Sequence, residues 1–102
     1  MENLNIRAYK TVSSGGKFLF EKKSNDSRGA IGCSSIENLA LLVNKSVKTF
    51  LRKNKNEEGE VTIDLKPYHD IECTYGLSPI RCLPLNEAEV EEFWAFFETL
   101  GI

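Results

Sequence analysis

The apolar residues of this chain swing between two periods, and that succession limits the fold more than any other feature of its 102 residues. Leu4, Ile6, Ala8 and Val12 alternate with Asn5, Arg7, Tyr9 and Thr11, the period of a half-buried strand. Phe18 and Phe20 resume the alternation beyond Ser13-Ser14-Gly15-Gly16, so the two runs read as a hairpin. Keeping both phenylalanines on the face of Val12, Ala8 and Ile6 requires paired positions whose numbers sum to an even value. Val12 with Phe18 across a Ser14-Gly15-Gly16 loop satisfies this. That register sets Tyr9 opposite Glu21 and Arg7 opposite Lys23 on the outer face. Two like charges so placed cost up to ~1 kcal/mol, which points to an anion or acidic partner.

The stretch Ser24-Asn25-Asp26-Ser27-Arg28-Gly29-Ala30-Ile31-Gly32 is rich in turn formers and reads as a loop. Ser34 and Glu37 have the spacing of a capping box, and Ile36, Leu39, Ala40, Val43, Val47, Phe50 and Leu51 then recur at three and four. A helix from this box to about Lys53 is predicted. Period two returns at Val61, Ile63 and Leu65 and again at Ile71, Cys73 and Tyr75, with a turn over Pro67 to Asp70. These form a second strand pair. A short edge strand around Ile80 to Leu83 fits between Pro79 and Pro84, because proline cannot donate to a sheet ladder. Asn86 and Glu89 repeat the capping box, with Leu85 and Val90 suited to a hydrophobic staple and Gly101 placed to end the helix in a left-handed residue. The bulky set Val90, Phe93, Trp94, Phe97 and Leu100, with Phe96 alongside, makes this helix the largest contributor to the core.

The predicted fold class is therefore α+β, in the order β-β-α-β-β-(β)-α. An antiparallel sheet of four to five strands carries two amphipathic helices on one face and leaves the other face wet. A chain of 102 residues suits one domain. No apolar run is longer than the five residues Leu39 to Val43, too short for a membrane span, and no secretory leader is recognisable. A cytoplasmic location is expected. Cys33, Cys73 and Cys82 make an odd count at spacings that suit neither a disulfide framework nor a metal motif, so reduced thiols are expected.

Charge is sorted along the chain. Residues 1–55 hold eleven basic residues against four acids, a balance of +7, while residues 56–102 hold two against eleven, a balance of −9. Part of this is helix electrostatics: Lys48, Arg52, Lys53 and Lys55 gather where the first helix ends, and Glu87, Glu89, Glu91 and Glu92 where the second begins. The dipole leaves unexplained the cations of the first hairpin, Arg7, Lys10, Lys17, Lys22 and Lys23, with Arg28. Tyr9 and Leu19 are expected to be exposed among them.

Catalytic chemistry finds little to use. The one histidine, His69, lies in a turn and no serine or cysteine occupies a nucleophile elbow. His69, Asp70, Cys73 and Cys82 offer zinc-ligating types, yet Cys73 falls on the buried side of its strand, where a thiol is ordinary packing. The glycines of Ser13 to Gly16 and Arg28 to Gly32 lack the lysine-serine ending of a nucleotide loop, and turn chemistry accounts for them. No metal and no cofactor are expected.

The function expected on these grounds is a small non-catalytic protein-binding module: an inhibitor, an immunity-type protein or an adaptor, with Arg7, Tyr9, Lys17, Lys23 and Arg28 meeting a protein partner of complementary charge. In size and self-contained charge the chain is similar to small inhibitors made by phages and other mobile elements, a likeness that carries over no motif and no residue assignment. The alternative is a nucleic-acid-binding module in which the basic hairpin holds phosphate and Tyr9 stacks on a base. Against it stand the absence of a ribonucleoprotein motif and a sequence pI near 5.4. Oligomeric state is open to either a head-to-tail or a two-fold arrangement.

Overall fold

The computed structural model describes residues 2–11, 18–25, 27–54, 59–65, 71–75 and 78–101, with the backbone alone for Glu2, 71–75 and 78–82. Within them the chain forms β1 (Glu2–Thr11), β2 (Phe18–Lys23), β3 (Arg28–Cys33), α1 (Ile36–Lys53), β4 (Gly59–Asp64), β5 (Ile71–Tyr75), β6 (Ser78–Leu83) and α2 (Glu87–Leu100). The class is α+β, and the sheet is mixed rather than antiparallel. A four-stranded body β3-β2-β1-β4 is antiparallel except for β1 and β4, which run parallel from Glu2 opposite Gly59 to Arg7 opposite Asp64. The β5–β6 hairpin joins at the far end of β1, where Lys10 and Thr11 face Leu83 and Cys82.

The first hairpin has the expected even-sum parity with a register two residues away from the expected one. Ala8 faces Phe20, Tyr9 faces Leu19 and Arg7 faces Glu21, so Arg7 and Lys23 are not opposed. Parity follows from burying one face, whereas a two-residue slide keeps that face intact and is decided by the connecting segment, which lies outside the described residues. The expected loop over 24–32 is in large part a strand. Ser24 N–H donates to the Ser27 carbonyl at 2.8 Å and Ser27 N–H to Ser24 Oγ at 3.2 Å, and Arg28–Cys33 then pairs with the whole of β2. Glycine and alanine have poor intrinsic strand preference. Pairing to β2 and burial of Cys33 override it.

Val61–Leu65 and Ile71–Tyr75, expected to pair with each other, do not. β4 turns to β1 and β5 to β6, because α1 carries the chain from β3 over the sheet and delivers β4 alongside β1, as a helical crossover does for parallel strands. Nor is β6 an edge strand: it lies between β5 and β1. Pro79 pairs with Thr74 on the β5 side, away from the two β1 contacts at Cys82 and Leu83. It therefore breaks no ladder to β1.

Leu4, Ile6, Ala8, Phe20, Cys33, Leu39, Ala40, Val43, Val47, Phe50, Phe93 and Phe97 belong to one core cluster between the sheet and the two helices. In α2, Phe93 and Phe97 stack at 5.6 Å between centroids while Trp94 meets both edge-on at 5.0 and 5.3 Å. The N-cap of α1 is Ser35, whose hydroxyl accepts from Asn38 N–H at 3.0 Å, one residue later than the expected box on Ser34. The α2 box is as expected: Glu89 N–H donates to Asn86 Oδ1 at 2.8 Å and Asn86 N–H to Glu89 Oε1 at 2.9 Å. Gly101 has the expected positive φ of 67°, but its ψ of 167° is extended rather than left-handed helical. Asn44, buried in α1, donates to the Gly101 carbonyl at 2.8 Å, and Lys48 to that of Leu100 at 3.1 Å, so α1 caps the end of α2.

Candidate functional site

The strand periods sort the side chains of the β3-β2-β1-β4 body into two sets. Leu4, Ile6, Ala8 and Lys10 point to the helices with Phe18, Phe20, Ile31 and Cys33. Asn5, Arg7, Tyr9, Glu21, Lys23 and Arg28 lie on the opposite face. That face is wet at one end only. Tyr9 and Leu19 oppose each other at 1% exposure each and stand outside the helix-side cluster. The cause is topological: β6 leaves the end of β1 and β5 comes back into contact with β3, so the hairpin spans the Tyr9–Leu19 end of the face.

At the other end, two cross-strand rows remain accessible. In one, Thr62, Asn5, Lys23 and Arg28 follow each other from β4 to β3. In the next, Asp64, Arg7, Glu21 and Ala30 do so. Arg7 therefore has a carboxylate position on each side, while Lys23 and Arg28 form a like-charge pair at the mouth of the β2–β3 connection. Arg7, Lys23 and Arg28 are all exposed. They line an open concavity of about 380 Å³ together with Asn5, Glu21, Lys22 and Gly29.

Of the residues singled out from the sequence, Arg7, Lys23 and Arg28 thus share one concavity, Tyr9 is buried away from it, and Lys17 lies outside the described residues. Tyr9 offers no face to a base. Lys10 also leaves the set: its even position turns it toward α2, where Nζ contacts Glu89 Oε1 at 3.0 Å. Lys22 is the residue missed as distinct from its neighbours. It points to the helix side, lines the concavity from the edge, and its stem runs 3.9 Å from where a Cβ on Gly29 would stand.

The zinc-type set His69, Asp70, Cys73 and Cys82 lies outside the described side chains. Among the described residues no three metal-ligating side chains come together, and no helix is long and apolar enough to cross a membrane. Cys33 is a buried free thiol whose pKa burial pushes up from 9.0 to about 11, so it is held protonated. No protein-family model matches the chain, and neither the curated proteins nor the solved structures contain a match. The class the fold defines is a small α+β domain with a mixed sheet, helices on one face and a part-covered second face.

Proposed function

We propose that this domain is a non-catalytic protein-binding module, of inhibitor, immunity or adaptor type, that receives an acidic surface of its partner on the concavity of Arg7, Lys23 and Arg28. The observation that carries the reading is the Lys23–Arg28 pair. Two exposed cations sit directly opposite each other across β2 and β3 and share their concavity with Arg7 and a single described carboxylate, Glu21. Unrelieved, such a pair costs up to ~1 kcal/mol of sheet stability. A carboxylate or several from a partner relieves it, and the surrounding field speeds encounter with a negatively charged surface.

The test is a binding experiment with the triple variant Arg7→Glu, Lys23→Glu, Arg28→Glu, whose substitutions are all on exposed positions. Wild-type protein is expected to retain one protein partner from its native host, and the variant to lose it. Retention of none, or equal retention by both, overturns the proposal. Nucleic-acid binding is the competing outcome, and it loses its stacking residue with the burial of Tyr9. Retention of single-stranded oligonucleotides at about 50 mM salt, weakening steeply as salt rises, would transfer the concavity to that role.

A further inference from the structure

A second cleft opens between α1 and the β2–β3 end of the sheet, with a volume of about 310 Å³. That is near the lower limit of small-molecule sites, roughly 300–1,000 Å³. Its walls divide by chemistry. Leu4, Ile31, Leu42 and Phe50 supply apolar surface, and Lys22, Lys45 and Lys53 supply three ammonium groups. None of these lysines has an ion-pair partner among the described residues, and no carboxylate is among the described lining residues. The Ser46 hydroxyl also lines the cleft and makes no hydrogen bond among the described residues. Lys53 closes the last turn of α1, where a cation complements the helix dipole. Lys22 and Lys45 have no such reason to be there.

We propose that this cleft binds a phosphate monoester carried on a small apolar body. A monoester approaches a dianion at neutral pH and offers several acceptor oxygens, which suits three point-charge donors and a hydroxyl better than a monoanionic carboxylate does. The apolar body occupies the leucine, isoleucine and phenylalanine surface. The cleft shares Lys22 with the Arg7 concavity and is distinguished from it by Lys45 and Lys53, which do not line that one.

The experiment is titration of the full chain with phenyl phosphate at about 0.15 M salt, where fields from charges more than ~8 Å away are screened, followed by amide NMR. Saturable shifts are expected at residues 22, 24, 27 and 45–53, with affinity about tenfold above that for inorganic phosphate or benzoate, equivalent to ~1.4 kcal/mol. Lys45→Gln with Lys53→Gln, both at exposed positions, is expected to abolish saturation. Arg7→Gln with Lys23→Gln and Arg28→Gln is expected to leave it within about twofold, because none of the three lines the cleft. Vesicles containing phosphatidic acid distinguish the source. Retention that is lost with Lys45 and Lys53 assigns a lipid head group, and no retention assigns a free ester. Shifts that do not saturate, that treat phenyl phosphate and inorganic phosphate alike, or that follow Arg7, Lys23 and Arg28 instead, overturn the proposal.

Discussion

Tyr9 and Lys10 are neighbours in sequence and serve opposite sides of the sheet. Tyr9, at 1% exposure, anchors the second face beneath the β5–β6 hairpin. Tyr9→Ala is expected to cost about 3–5 kcal/mol, as for a large aromatic in a core, measured by denaturant unfolding. An exposed stacking residue would cost almost nothing. Lys10 ends at Glu89 Oε1, the same oxygen that accepts from Asn86 N–H, so one carboxylate closes the α2 cap and ties it to β1. Because this ion pair is partly exposed, Lys10→Met is expected to cost only ~0.5–1 kcal/mol. Glu89→Ala also removes the cap and should cost more.

Cys33 titrates in the opposite sense to a paired carboxylate. Its raised pKa means that the folded chain holds the thiol proton more tightly than the unfolded chain does, so this contribution is complete below pH 9.0 and is lost as pH rises through about 11. Unfolding free energies at pH 8 and pH 10.5 are expected to show a larger drop for wild type than for Cys33→Ala. Equal drops would mean that the thiol is not desolvated.

Among the elements, the two helix starts separate what spacing reveals from what it leaves open. Both helices carry a polar residue three before a glutamate, and in α2 the box forms on Asn86 and Glu89. In α1 two adjacent serines compete, and Ser35 is the cap, with Ile36 the first helical residue and buried. Ser35→Ala is accordingly expected to lower stability by ~1 kcal/mol and Ser34→Ala by little, since only the true cap satisfies an orphan amide. Thermal melts of the two variants decide it.

β3 shows where local composition misleads. Its Arg-Gly-Ala-Ile-Gly run carries turn-forming residues, and its strand state comes from pairing with β2. A Cβ on Gly29 would meet Lys22 Cε at 3.9 Å, an ordinary contact. Gly29→Ala is expected to stabilise by about 0.4–1 kcal/mol through loss of unfolded-state freedom, read as a higher melting temperature. A fall would indicate a backbone geometry at 29 that tolerates only glycine.

For the molecule as a whole, β1 is the organising strand. It pairs with β2 along one edge and with β4 and then β6 along the other. Its pairing with β2 is local, but its partners β4 and β6 come from distant parts of the chain, so those contacts form only after long loops close. Native-state hydrogen exchange is expected to find the slowest amides in β1, at close to the global unfolding free energy, and faster exchange along the outer edge of β4. Uniform protection across the sheet would contradict that arrangement.

Both helices, the α2 cap, the helix-side strand face and the hairpin parity were legible in the residues. Each depends on burying one side of a local repeat, and a period of two or 3.6 records that directly. The cations Arg7, Lys23 and Arg28 were legible as unexplained charge, although their grouping was not. Three decisions needed the tertiary structure: which strands pair, where β3 ends the sheet, and whether the second face is wet. Parallel pairing of β1 with β4 depends on where α1 returns the chain, and the burial of Tyr9 and Leu19 depends on β5 coming back to β3. The same alternation is compatible with a solvated face or a covered one. Long-range packing chose between them, because the free energy that settles it comes from residues more than fifty positions away in the chain.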